Sequence, residues 1–147
     1  MAIFREALMQ YLLSKSPITS IVGTSGVWGF MAPQEEVPPY ITVTRVAGDT
    51  VKNLSGTNGY IEEFWQINCW GPTDAVSELL MEKVIDALDL VAPTTMSPDA
   101  GDTDYIVANT MLDNLGPDDE QWKRDGSQNK ISRKLPTFRI KRSRAAS

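Results

Sequence analysis

The pattern of apolar residues along the chain predicts an α+β domain, a mainly antiparallel sheet with two helices packed on one face and long hairpin loops between strands. Two stretches space their apolar residues three and four apart, and four others alternate apolar with polar residues. Two long polar connections, rich in Gly, Asn and Asp, separate the strands. With 147 residues and 41% hydrophobic content, residues 1–147 read as one domain around one core, with mobile arms at about 47–59 and 113–136.

The first helix spans about residues 2–14, where Ile3, Phe4, Ala7, Leu8, Tyr11 and Leu12 fall on one stripe. Pro17 blocks its continuation, because proline lacks a backbone N–H and disfavours helix in the residue before it. Gly23-Thr24-Ser25-Gly26 is a turn into the short apolar segment Val27-Trp28-Gly29-Phe30, and Pro33, Pro38 and Pro39 mark an extended connection. Tyr40 to Val46 is the first long strand, with Ile41 and Val43 on its buried face and Thr42 and Thr44 on the other. Tyr60 to Trp70 is its hairpin partner, turning Trp65, Ile67 and Cys69 inward and Gln66 and Asn68 outward. The connection between them is a long loop in which Val51 and Leu54 are isolated apolar residues.

The second helix covers about residues 74–89, with Thr73 as its cap, Asp74 beside the positive end of the helix dipole, and an apolar face of Val76, Leu79, Leu80, Val84, Ala87 and Leu88. Tyr105 to Leu112 is a third long strand. Thr137 to Lys141 is the last, with Phe138 and Ile140 inward. Between these two, Asp113 to Pro136 is too polar to pack as a core element and reads as a second arm, carrying Trp122.

Charge is segregated. Residues 121–147 hold nine basic residues against Asp125 alone, a balance of +8, which leaves -13 for residues 1–120 within the net charge of -5. Such an arrangement fits either an uneven solvated surface or complementary patches that fix how subunits meet. No secretory signal is recognisable at the N-terminus, and no apolar run approaches the roughly 20 residues needed to cross a bilayer. A soluble protein made inside the cell, with no membrane partner, is the expectation.

The residues for chemistry are sparse. Histidine is absent, which removes the commonest general base, metal ligand and partner of a Ser or Cys nucleophile. Cys69, the lone cysteine, sits on an alternating strand and reads as a small buried side chain. Gly23 to Gly26 lacks the lysine of a phosphate-binding loop. Asp99, Asp102 and Asp104 supply oxygen ligands for a hard cation, though without the glycine and distal glutamate of a calcium loop. Glu62 and Glu63 point to opposite faces of a strand and cannot act as an acid and base pair; one is expected to be exposed and the other to lie at a strand end. The chain is therefore expected not to be an enzyme, and to need no cofactor.

That leaves surfaces. Val51, Leu54 and Trp122 are apolar residues on polar arms, suited to anchoring a neighbour. Lys123, Arg124, Arg139 and Lys141 belong to the basic C-terminal stretch, with Arg139 and Lys141 on one face of the last strand. Three readings of this stretch stay open: a protein-facing patch, a solvated face, or sequence-independent contact with DNA.

The sequence also resembles the tail-completion, or tail terminator, proteins of long-tailed bacteriophages (siphophages). The resemblance rests on the N-terminal helix, Ala32-Pro33-Gln34 followed by Pro38-Pro39-Tyr40-Ile41-Thr42-Val43, the strand ending Gln66-Ile67-Asn68-Cys69-Trp70-Gly71, and the helix from Ala75 to Leu88. It implies a structural virion protein that forms a ring, usually of six subunits. Such a ring caps the tail tube, stops its growth and offers a joining surface to the head-tail connector protein. Its partners would be its own copies, the tail-tube protein and the connector, with DNA only as cargo passing through. It would reside at the head-proximal end of the tail, and in the host cytoplasm during assembly. Segregated charge suits the unlike surfaces that meet in a ring, and an acidic majority would let DNA pass without being gripped. The rivals are another connector or tail-tube component of the particle, and a small metal-binding or enzymatic domain built on the Asp99, Asp102 and Asp104 loop.

Overall fold

The computed structural model describes residues 3–29, 31–33, 36–53, 56–91, 93–98, 105–116, 118–122 and 130–143, with the side chains of 47–53, 56–60, 118–122 and 130 outside that description. The fold is α+β, with helices gathered on one face of a mostly antiparallel sheet.

Helix α1 (Phe4–Leu13) buries Phe4, Ala7, Leu8 and Leu12, the stripe that the spacing predicts. A further helix, α2 (Ser16–Val22), follows where none was expected. Pro17 occupies the first turn, where a backbone N–H has no helical partner to lose, so the residue read as a stop is part of a new start. Ile18 fixes this short helix to the core.

Strand β1 (Val27–Gly29) lies parallel to the start of β2 (Tyr40–Asn53). Strand β2 pairs antiparallel with β3 (Gly56–Gly71), in register from Tyr40 opposite Trp70 to Asn53 opposite Gly56. The loop expected at 47–59 is therefore mostly strand, a hairpin interrupted by register shifts between Arg45 and Ala47 and between Val51 and Lys52. Glycine and asparagine content pointed to a loop, but pairing satisfies the backbone wherever a partner strand runs alongside.

Helix α3 (Asp74–Leu88) starts as expected, with Thr73 Oγ1 accepting the Val76 N–H at 3.3 Å. Its buried row is Ser77, Leu80, Met81, Val84 and Leu88, so the axis is turned relative to the expected face and Leu79 is 45% exposed. Gly71 explains the tight exit from β3 into this helix: a Cβ there would lie 2.6 Å from the Ser77 nitrogen.

The remaining strands are β4 (Thr94–Met96), β5 (Tyr105–Asn114), β6 (Asp118–Trp122), β7 (Lys130–Lys134) and β8 (Thr137–Ser143). The sheet order is β1-β2-β3-β8-β5-β4. Strand β7 joins β3 beyond the end of β8 and carries β6 on its other side. Strands β7 and β8 thus follow the same edge of β3, bridged by the Ile67 N–H donating to the Pro136 carbonyl at 3.0 Å. This corrects the reading of 113–136 as an arm excluded from the core, since Ile131, Ser132, Lys134 and Leu135 are all buried.

One core joins these elements. Residues Phe4, Leu8 and Leu12 of α1, Ile18 of α2, and Leu80, Val84 and Leu88 of α3 meet Ile41, Val43, Trp65, Ile67, Cys69, Val107, Phe138 and Ile140 from a single face of the sheet.

Candidate interaction surface

Strand β8 sorts its residues by parity. Phe138, Ile140 and Arg142 face the helices and are buried, while Thr137, Arg139, Lys141 and Ser143 face the other way and are half-buried. Register sets Arg139 between Phe64 of β3 and Met111 of β5, and its Nη2 donates to the Met111 Sδ at 3.8 Å. Lys141 stands between Glu62 and Asn109. Met111 and Ile106 on β5 are 37% and 50% exposed. This helix-free part of the sheet thus sets Arg139 and Lys141, the lysine with Glu62 across from it, beside the exposed apolar Met111 and Ile106, a mix of charged and apolar groups found at the rims and cores of protein interfaces.

The opposite face holds a buried ion pair that the sequence reading missed. Glu63, read as exposed or at a strand end, lies mid-strand and only 1% exposed. Parity was the available signal: Glu63 shares a face with Trp65 and Ile67, as Arg142 does with Phe138 and Ile140. Arg142 Nε donates to Glu63 Oε1 at 2.6 Å, Trp65 Nε1 donates to the same oxygen at 3.2 Å, and Arg45 Nη1 donates to Oε2 at 3.1 Å. The Arg142 guanidinium also lies over the rings of Phe4 and Tyr105, 4.6 and 5.3 Å from their centroids. Burial by itself pushes the Glu63 carboxyl up, but the hydrogen bonds and charge of Arg142, with help from Arg45 and Trp65, hold it below its ordinary value. Every oxygen of this carboxylate is engaged, so its role is to hold β3, β8 and β2 together. Cys69 is fully buried, and burial pushes its thiol far above the range in which a thiolate forms.

A second buried cation trims the basic stretch further. Lys134 is 2% exposed, with its Nζ 2.7 Å from Asp74 Oδ1 and 3.5 Å from Glu78 Oε2. Beside it the Ser77 and Ser132 hydroxyls are 2.9 Å apart. These contacts pin β7 to the first turns of α3. Arg133 lies over the Trp70 ring at 5.0 Å. The basic C-terminal stretch is therefore divided: Lys134 and Arg142 serve the interior, and Arg139 and Lys141, placed on one face as the alternation predicts, lie at the surface.

The arms leave from opposite ends of β3. Val51 pairs with Tyr60 close to the β2–β3 turn, at the start of β3. Trp122 pairs with Lys130 on the β6–β7 hairpin, which extends past Gly71 at the other end of β3. The Val51–Tyr60 and Trp122–Lys130 pairs are separated by on the order of 40 Å of strand at the usual rise per residue. Arg139 and Lys141 lie between them. The side chains of Val51 and Trp122, all of Leu54, Lys123 and Arg124, and the Asp99, Asp102 and Asp104 segment lie outside the described residues.

A family model described as tail completion protein gp17 matches residues 6–140. A chain in the virion of a native gene transfer agent particle has the same fold, with a TM-score of 0.70 and 16% sequence identity over 95% of this chain and 94% of that one. A search of curated protein sequences returns no significant match.

Proposed function

The chain belongs to the tail completion protein gp17 family and is a structural protein of the phage tail, and within that class we propose that it is the tail terminator. In this reading six copies form a ring at the head-proximal end of the tail. The ring caps the tube, stops its growth and gives the head-tail connector a surface to join. DNA passes through the ring as cargo, and the chain carries out no catalysis.

One observation carries the reading: the two hairpins project from opposite ends of β3. A subunit at a junction needs two unlike ends, one for each neighbour, and a ring of such subunits presents one set of hairpins above and another below. Val51 and Leu54 would anchor the first arm, and Trp122, Lys123 and Arg124 the second.

Negative-stain microscopy of the purified protein, alone and with tail tubes, tests this. A single ring at one tube end supports termination. Long filaments would identify a tube subunit instead, and a chain that stays monomeric and ignores tubes would refute the ring.

A further inference from the structure

We infer that Arg5, with Arg45 near it, receives the acidic row of α3 from a second copy of the chain, a deepening that rests on the ring reading above. Arg5 is fixed in place. Its stem crosses Gly29, where a Cβ would lie 2.9 Å from the Arg5 Cδ, and its guanidinium lies over the Trp65 ring, 5.7 Å from the centroid. The residue is half-buried, its Nε is enclosed without a hydrogen-bond partner, and it makes no ion pair among the described residues, with exposed Glu6 or any other carboxylate. Glu63, below the same indole, is already shared by Arg142 and Arg45. Around Trp65 and Glu63, three guanidiniums therefore meet one carboxylate, and three minus one leaves +2. Arg45 stands opposite Trp65 in the β2–β3 register with 58% of its side chain exposed, and Ile3 and Val46, close to the two arginines along the chain, are 44% and 51% exposed. An arginine stacked on an aromatic ring and rimmed by apolar groups has the composition of a binding hot spot. Partial burial without a counter-charge is costly, and a partner that brings one finds the guanidinium already ordered.

Helix α3 supplies the complement. Asp74, Glu78, Glu82 and Asp86 recur every four residues on one stripe, a spacing at which like charges repel. Lys134 takes up the first two. Glu82 and Asp86 are exposed and make no ion pair among the described residues, and half-buried Lys83 between them bonds to neither. Counting both lysines against the four carboxylates, four minus two leaves -2. Leu79, 45% exposed, extends the stripe with an apolar group, as Ile3 and Val46 do at the arginines. Glu82 and Asp86 lie about 6 Å apart along the helix axis, so one row can engage both guanidiniums at Trp65. Within its own chain Arg5 pairs with neither acid, so the pairing needs a second copy. Because the two surfaces differ, the contact runs head to tail, the kind of contact that closes into rings.

Mixing charge-reversed subunits tests the pairing. The variants are Arg5→Glu, Glu82→Lys and Asp86→Lys, each checked for native circular dichroism and melting temperature. Assembly is read by light scattering across a concentration series and by microscopy with tail tubes. Arg5→Glu alone, and at least one of the two lysine variants alone, should need about tenfold higher concentration to assemble, since like charges then face each other. An equimolar mixture of Arg5→Glu with that lysine variant should assemble like the unaltered chain, because alternating copies restore an opposite pair at every contact. Normal assembly of Arg5→Glu, or no recovery in either mixture, would place the contact elsewhere while the ring reading stands. Should Arg5→Glu not fold, the exposed α3 positions still decide, and normal assembly of both lysine variants would overturn the pairing. If the unaltered chain forms no ring even on tubes, the ring reading fails and takes this contact with it.

Discussion

Arg142 and Arg139 are three residues apart on β8, and the sheet between them separates two kinds of electrostatics. Arg142 is enclosed by Phe4, Tyr105 and the carboxylate of Glu63, where a charge is tolerable only with a partner in place. Arg139 sits half-buried on the open face, where water screens it and its removal costs the fold little. Composition counts the two alike. Only the first is needed for folding, and the second is available for binding.

The sharpest way to break this comparison is Glu63→Ala, which strands Arg142 without its counter-charge. Stability should fall by about 3–5 kcal/mol, the usual cost of leaving one member of a buried pair, as measured by urea denaturation. A loss under about 1 kcal/mol would mean that Arg142 reaches water and that the two faces differ less than they look. Acid should expose the same pair. Because the folded-state carboxyl of Glu63 titrates below its ordinary value of 4.5, its contribution is complete above that pH and is lost as the pH drops through the lowered value. Melting temperatures of the unaltered chain and of Glu63→Gln should therefore converge on acidification below pH 4.5 and differ by a constant amount above it.

A smaller effect is expected at the start of α3, where Thr73→Ala removes the cap on Val76 and should cost about 1 kcal/mol by chemical denaturation. Smallest of all for the fold is the paired change Arg139→Ser and Lys141→Ser, which should leave stability within about 0.5 kcal/mol. Light scattering on that same variant should nonetheless report weakened assembly, and unchanged assembly would detach the outer face from the ring.

Much of this arrangement was legible in the residues. Alternation placed Ile41, Val43, Trp65, Ile67, Phe138 and Ile140 inside, and the Thr73-Asp74 start of α3 followed from capping chemistry. What escaped was polar sequence that becomes structural through a distant partner. Lys130-Ile131-Ser132-Arg133-Lys134 looks solvated, yet Lys134 is buried because Asp74 and Glu78, some sixty residues earlier, are brought to its ammonium. Glu63 and Arg142 escaped for the same reason, although their parity was plain: a charge at an inward position is credible only once its counter-charge is known to be opposite. The candidate surface was half visible, since Arg139 and Lys141 were assigned to one face, but the exposed Met111 and Ile106 beside them depend on strand order, which local pattern does not fix.

The bulge between Arg45 and Ala47 bears on how a lone subunit stays in solution. Strand β1 accompanies β2 only as far as Val43, so from Thr44 to Asn53 the outer side of β2 has no neighbour among the described residues. An edge of that length is a template on which any extended chain can zip and precipitate. The bulge interrupts the template near its head, and Arg45, tethered to Glu63 yet with 58% of its side chain exposed, holds a fixed charge there. A strand stacking onto this edge would have to desolvate that guanidinium, so the same residue that steadies the interior also guards the edge against aggregation.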